Sequence, residues 1–351
     1  MQEKEQKEII SDFTSKVRRT VKILAPATIA NMVCGFDVLG LALNKPQDVM
    51  ELTLSAEAGI RIAHNDIYNL PTIPEENVAG VALLELMQEI DKGYGFDLII
   101  EKHIKPGSGL GSSAASAAGV VVAANHLLGN IFTKEDLVRF AMAGEKLASG
   151  VKHADNISPG IYGGVTLIRS IFPLDIISLQ APSMFVTVVH PQIEVKTSDA
   201  REILRKEVAL KDAIKQWGNI AGLVAGLMKG DYGLISRSLE DVIIEPVRSM
   251  LIPGFDEVKK KSVYAGALGG GISGSGPSIF MLCEKEDTAL TVEKIMKNIY
   301  DSTGLKRSLS SQRVSRAAQS VRARLLWGHC AMLTLWTRDT PSGLAAFHRI
   351  P

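Results

Sequence analysis

The chain has few cysteines, few aromatic residues and no excess of either charge, and each shortage narrows what it can be. Its three cysteines, Cys34, Cys283 and Cys330, are odd in number and widely spaced, which excludes a disulfide framework and a CxxC metal pair. No apolar run approaches the roughly 18–20 residues that a bilayer-spanning helix requires. The opening MQEKEQKEIISDF is charged where a secretion signal would be apolar. A formal net charge of +1 supplies no global basic field for nucleic acid. No Gly-Lys dipeptide occurs, so the Walker A form of phosphate loop is excluded. Together these point to a cytoplasmic globular protein with no nucleic-acid and no membrane partner.

What is present is a 46 % hydrophobic composition over 351 residues, enough for about two domains. The even charge hides an asymmetry. Residues 307–351 hold seven arginines, no lysine and one acid, Asp339, giving +6, so residues 1–306 carry +1 − 6 = −5. All 23 lysines precede residue 307, whereas Trp327 and Trp336 follow it. Such a switch in residue usage marks a compositional break.

Along the chain, residues 1–20 read as a polar extension with no core-forming stripe. VKILAPAT (21–28) and VMELTLS (49–55) read as strands, and VAGVALLELMQEI (78–90) has helical apolar spacing. FDLIIEKH (96–103) sets Phe96, Leu98 and Ile100 against Asp97 and Glu101, the alternation of a half-buried strand. It runs through IKPGSGLG into a helix of Ala, Ser and Val closed by Gly129–Asn130. A further helix starts at the N-cap Thr133. GVTLIRSI (164–171) and MFVTVVHP (184–191) read as strands, 199–215 and 218–240 as helices, and AGALGGGISGSGPSIFMLCE (265–284) as strand–turn–strand before a helix at 287–300. Strands and helices mix without the rhythm of a doubly wound sheet, which predicts an α+β fold.

The strongest chemical signal is PGSGLGSSAAS, Pro106 to Ser116. A glycine-rich turn that opens a helix offers converging backbone N–H groups and the positive end of the helix dipole, which suits phosphate. Gly107, Gly109 and Gly111 let the main chain approach closely. Ser112 and Ser113 carry hydroxyls that can donate to phosphate, or ligate Mg²⁺. The dinucleotide-binding pattern is nominally met by Gly109-x-Gly111-x-x-Ala114, but the acids about 20 residues on, Glu135 and Asp136, open another helix instead of ending a strand.

With this loop in the centre, the sequence resembles the GHMP kinases. Their first and third motifs are matched by APATIANMVCGFDVLGLAL (25–43) and GGGISGSGPSIF (269–280). Within that superfamily it is most similar to the homoserine kinases, on Asn31 with GFDVLG (35–40), KHADNISPGIYGG (152–164), TSDAR (197–201) and EPVR (245–248). The likeness covers about residues 21–306.

The resemblance implies a two-domain GHMP kinase fold. An ATP-binding N-terminal domain with a left-handed βαβ crossover spans 21–180, and a ferredoxin-like C-terminal domain spans 181–306. The implied reaction is phosphorylation of the L-homoserine hydroxyl by ATP on the route to threonine, with a related kinase for another small alcohol as the alternative. Pro106, Gly107, Ser108, Gly109, Leu110, Gly111, Ser112, Ser113, Ala114 and Ala115 would bind the nucleotide. Ser113 and Glu145 would hold Mg²⁺, and Gly271, Ser273, Gly274, Ser275 and Gly276 would support the phosphate loop. Arg201 and Arg248 would grip the substrate carboxylate bidentately. Asp37 and Asp155 would take its ammonium, Asn31 its hydroxyl, and His153 a further polar contact. Asn31, Glu145, Asp155 and Asn156 form the implied catalytic set, with Asp155 open to two roles, base or ammonium ligand. A homodimer is also implied.

One segment departs from the pattern. After STGLK (302–306) the family closes its C-terminal sheet with a strand, whereas residues 307–351 read as an atypical arginine-rich tail of the kind a shifted reading frame produces. An impaired, binding-only protein with an exposed sheet edge is the expectation if that strand is missing.

Overall fold

β1 (Thr20–Ala30) turns Val21, Ile23 and Ala25 into the core and pairs antiparallel with β2 (Leu39–Ser55). The pairing slips between Pro26 and Thr28, where proline has no N–H for the ladder. This computed structural model describes residues 19–90, 93–193, 195, 197–304, 306–314 and 322–326; the expected extension at 1–18 and the tail from 327, with both its tryptophans, lie outside them.

β2 continues the first sheet to β4 (Gly95–Glu101), and β4 pairs in parallel with β3 (Gly59–His64). α1 (Val78–Met87) lies in the β3–β4 connection and completes a βαβ unit. β5 (Val165–Ile171) pairs with the start of β2 and carries β6 (Leu174–Leu179). Over this sheet lies α2 (Ser112–Leu127), apolar nearly all round and almost wholly buried, as a core helix must be. Its small residues allow a close approach: a Cβ on Gly119 would come within 2.6 Å of Met50 Sδ. α3 (Lys134–Ser149) starts at a capping box between Thr133 and Asp136, and the short α4 (Ile157–Tyr162) follows.

The second sheet has the order β10-β7-β9-β8, from β7 (Met184–Pro191), β8 (Gly269–Ile272), β9 (Ile279–Cys283) and β10 (Arg307–Val314), all antiparallel. Between β7 and β8 come α5 (Thr197–Glu202), α6 (Leu210–Lys229), α7 (Tyr232–Ser238), α8 (Glu245–Arg248) and α9 (Phe255–Tyr264); α10 (Glu286–Thr303) joins β9 to β10. Helices in both crossovers make this a βαββαβ, ferredoxin-like domain.

Two expectations are corrected. The helices read over 199–215 and 218–240 divide elsewhere. The chain is exposed along nearly all of 203–209, so no buried face holds a helix there. α6 then runs unbroken to Gly230, whose left-handed conformation ends it, and Asp231 caps α7. The first part of the supposed tail is structured. β10 supplies the closing strand of the second sheet, and β11 (Arg322–Leu326) pairs with β1 in the first. Both strands lie at sheet edges, where backbone pairing asks little of residue type.

Candidate active site

The loop before α2 is built from conformations only glycine holds comfortably. Gly109 and Gly111 have φ of 77° and 66°. A Cβ on Gly109 would sit 2.6 Å from the carbonyls of Ser273 and Gly276, and one on Gly111 would sit 2.0 Å from Thr28 Oγ1. The third motif holds this loop directly. Ser273 Oγ donates to Gly109 O at 2.7 Å, and the Ser278 amide donates to Ser108 O at 3.3 Å.

The hydroxyls divide. Ser112 Oγ donates to Ile104 O at 2.7 Å, so the reading of this hydroxyl as a phosphate donor is corrected. Ser108 Oγ accepts from the Leu110 amide, 3.3 Å away. Ser113 Oγ, by contrast, donates to Glu145 Oε2 at 2.8 Å inside the cavity. Leu110 and Ala115 are corrected too. Their side chains are buried, the Leu110 amide goes to Ser108, and the Ala115 amide closes the first helical bond, to Gly111 O at 2.8 Å. Ala114 is also buried as a side chain, but its amide belongs to the first turn of α2, with those of Ser112 and Ser113, where helix geometry provides no partner.

These amides open on a cavity of about 330 Å³. One end is lined by His64, Leu70, Pro71, Asn77, Val78 and Ile100, the middle by Pro106, Gly107, Ser108, Gly109, Gly111, Ser112, Ser113 and Glu145. The far end has Asn31, Phe36, Asp37, His153, Asp155, Asn156, Arg201, Arg248, Gly274 and Ser275. Gly271 and Gly276 do not reach it: Gly271 backs onto Glu245 and Gly276 onto Ile252, so both act through the loop they shape.

The far end is assembled from separate segments. The turn after β1 holds Asn31, Met32, Val33 and Asp37 at φ of 71°, 42°, 70° and 57°, a strain that persists only where surrounding contacts fix it. Asn31 provides two. Its Oδ1 accepts from the Asp37 amide at 3.0 Å and its Nδ2 donates to Gly274 O at 3.1 Å. Arg248 is buried; it donates to Ala200 O at 2.9 Å and Gly274 O at 3.0 Å, and lies 5.0 Å from the centre of the Phe36 ring. Arg201 lies 5.5 Å from the same ring and donates to Asp37 at 3.1 Å. Burial, then Arg201, lowers the Arg248 pKa to about 10. Burial likewise pushes His153 below its ordinary value, against the pull of Asp37.

Among the described residues, two carboxyls here form no salt bridge. Burial, with Asp37 and Glu145 nearby, raises the Asp155 pKa to about 8, and burial raises that of Glu145 to about 7 despite the Ser113 bond. Asp155 lies close under β2, where a Cβ on Gly40 would come 1.8 Å from its carbonyl oxygen.

Several residues at the site were not singled out from the sequence. Thr28 Oγ1 donates to Asn156 Oδ1 at 2.7 Å. Lys102 is buried beneath α2, paired with Asp48 and donating to Ser112 O at 2.7 Å and Ser116 Oγ at 2.9 Å. A signal for Lys102 existed: it continues the inward face of Phe96, Leu98 and Ile100, and a cation there needs a partner. Asn77 caps α1 and bonds His64, and Phe36, within GFDVLG, carries both arginines; Asn77 had no signal beyond its type.

Comparison with known proteins agrees with this fold. The family described as GHMP kinases N terminal domain matches residues 77–164, and GHMP kinases C terminal matches 223–302. A homoserine kinase of Chloroherpeton thalassium is 45 % identical over 289 residues, 79 % of this chain and 91 % of that protein. One of Methanococcus maripaludis is 41 % identical over 286 residues, 81 % of this chain and 94 % of that protein. The crystal structure of homoserine kinase from Cytophaga hutchinsonii superposes with a TM-score of 0.83 at 45 % identity, covering 87 % of this chain and 97 % of that one. L. major mevalonate kinase, at 16 % identity, shares the fold with a TM-score of 0.65 over 87 % of this chain and 99 % of that one. The chain belongs to the GHMP kinases, and within them to the homoserine kinase family.

Proposed function

We propose that this chain transfers the γ-phosphoryl group of ATP to the side-chain hydroxyl of L-homoserine, giving ADP and O-phospho-L-homoserine on the route to threonine. The observation that carries the reading is one cavity that joins the first-turn amides of α2 to two acids and two arginines around Phe36. An amino-acid zwitterion is neutral overall but needs both signs in place. Its carboxylate suits Arg201 and Arg248. Its ammonium suits Asp37 and Asp155, two neighbouring acids of which, among the described residues, only Asp37 forms a salt bridge. Substrate would then replace the Asp37–Arg201 pair with one partner for each. Two buried atoms without a hydrogen-bond partner, Arg201 Nε and His153 Nε2, mark this end as incomplete by itself.

The opposite end suits a base: Leu70, Pro71, Val78 and Ile100 supply apolar surface, and the Asn77 and His64 side chains bond each other. Between the ends, triphosphate meets the amides of Ser112, Ser113 and Ala114. Among the described residues no cluster of three or more His, Cys, Asp or Glu could hold a metal. Ser113 and Glu145 nevertheless fit a hard cation, because Glu145 is a buried carboxyl group with one side-chain hydrogen bond and, among the described residues, no salt bridge. Mg²⁺ held there would neutralise charge on the phosphates.

The protein's part is then alignment and charge placement. The hydroxyl oxygen bonds to phosphorus as the bond to the β-phosphate oxygen breaks, and the hydroxyl proton passes late to the transferred group. In this reading Asp155 is the ammonium ligand. Asp155→Asn should raise the homoserine KM by about 100-fold with kcat reduced less than tenfold; collapse of kcat at saturation would make it the base.

The deciding assay is Mg-ATP-dependent phosphorylation of L-homoserine, with L-serine, L-threonine and mevalonate as comparators. Selective turnover of homoserine is expected. Binding of ATP and homoserine without turnover would leave a binding protein. Light scattering on the same preparation tests the homodimer implied by resemblance.

A further inference from the structure

Asn156 precedes α4, a position where asparagine usually caps the helix, yet its side chain makes no capping bond. Its Oδ1 instead accepts from Thr28 Oγ1 at 2.7 Å. Thr28 is only 1 % exposed and lies just past the slip in the β1–β2 pairing. Its amide donates to Leu110 O at 3.1 Å, so its backbone is tied to the glycine loop. Its hydroxyl lies against Gly111: a Cβ built there would be 2.0 Å from Thr28 Oγ1 and 2.9 Å from Asn156 Oδ1. Three segments distant in sequence therefore meet at one hydroxyl, at the mouth of the phosphate-binding turn.

A carboxamide has an acceptor edge and a donor edge. With Oδ1 held by Thr28, the edge left for the cavity that Asn156 lines is Nδ2, which has no protein partner among the described residues. Asn156 lines the cavity beside Asp155 and reaches the Ser/Gly loop at Gly111, so it connects the amino-acid end to the phosphate end. A donor there meets phosphoryl oxygens favourably, whereas the reversed amide would point lone pairs at them.

We propose that Thr28 is a positioning residue of the phosphoryl transfer, which fixes the Asn156 carboxamide so that Nδ2 donates to an oxygen of the group in flight. This rests on the kinase reading above. Thr28 touches no substrate in this arrangement; it acts through Asn156. Removing its hydroxyl frees the amide to rotate, and the damage falls on the transition state more than on ground-state binding.

The test compares Thr28→Val, which keeps shape and loses the hydroxyl, with Thr28→Ser, which keeps the hydroxyl. Thr28→Val should lower kcat about 30-fold with KM for ATP and homoserine within about threefold; Thr28→Ser should restore most of the rate. In an Asn156→Ala background Thr28→Val should have almost no further effect, because the two act as a unit. An unchanged kcat in Thr28→Val, or an equal loss with and without Asn156, overturns the proposal. Both variants are also titrated with Mg-ADP with and without aluminium fluoride, a planar stand-in for the phosphoryl group that needs no homoserine turnover. Fluoride should tighten ADP binding at least tenfold less in Thr28→Val than in the unmodified chain; an equal gain overturns the proposal. If the unmodified chain fails to phosphorylate homoserine, the substrate reading falls, while the fluoride titration still judges Thr28.

Discussion

The two halves of the cavity are built on different principles. At the phosphate end the groups aimed at a ligand are mostly main-chain amides, and nearby hydroxyls serve the protein: Ser108 braces Leu110, Ser112 braces Ile104 and Ser273 braces Gly109. At the amino-acid end the working groups are charged side chains on a left-handed turn and on three further segments, and several are unmatched. A phosphate tail is a common ligand with a fixed shape, so a rigid backbone cradle suffices. An amino acid must be told from its neighbours, and that requires charges of both signs at set positions.

The comparison breaks most severely at Gly111. Gly111→Ala places a methyl into Thr28 Oγ1 and imposes φ of 66° on an L-residue, a backbone cost of roughly 1–2 kcal/mol before the clash. We expect kcat/KM for ATP to fall by at least about 1,000-fold, with the Tm lowered by several degrees. Gly107→Ala is its control, since a Cβ there meets nothing within 4 Å although φ is 72°. Similar losses for both would show that backbone conformation, not the packing of Thr28, governs the loop.

Next in size is the amino-acid end. Arg201→Lys keeps the charge but loses the planar fork over Phe36 and the second carboxylate contact. The homoserine KM should rise about 100-fold with the ATP KM within about threefold. An equal rise in both constants would mean that the two ends are one unit and that the division drawn here is false.

That division also governs how much could be read in advance. The phosphate end was legible because its residues are contiguous: a strand, three glycines and a helix of small residues lie within Phe96–Leu127. The amino-acid end gathers Asp37, His153, Asp155, Arg201 and Arg248, and their meeting follows from no periodicity; only the likeness to a family joined them. Within the contiguous stretch the errors were of direction. Glycine spacing says that a backbone must come close, but not which way a serine hydroxyl turns, and Ser112 turned inward. Strand alternation extended by two residues would have put Lys102 inside, but could not have named Asp48, which depends on the β2–β4 register. The closing strand β10 was missed because edge pairing is a backbone property that side-chain composition barely reveals.

A third test uses protons. Asp155, ordinarily 3.8, is raised to about 8, and Glu145, ordinarily 4.5, to about 7. The folded state therefore holds protons that the unfolded chain releases, and stability falls as pH rises. That contribution is complete below about pH 4 and is lost as pH climbs through 7 to 8. The ligand-free Tm should drop by several degrees between pH 6 and 8.5, and Glu145→Gln should flatten part of the slope. Mg-ATP should reduce it as well, since a cation beside Glu145 favours the ionised form. A slope unchanged by Glu145→Gln would remove Glu145 from the effect.

The smallest effect should separate adjacent serines. Ser113→Ala removes the hydroxyl that meets Glu145 and should raise the KM for Mg-ATP about tenfold or more. Ser112→Ala removes a hydroxyl that satisfies Ile104 O at 2.7 Å, leaving a buried carbonyl short of a donor at a cost of about 1–2 kcal/mol. Its Tm should therefore fall while the KM for ATP stays within about threefold, because the Ser112 amide is untouched. Thermal melts read the first quantity and initial rates the second. If Ser112→Ala instead weakens ATP with little loss of stability, its hydroxyl leaves Ile104 for the nucleotide. The phosphate end would then be built from side chains after all, as the other end is.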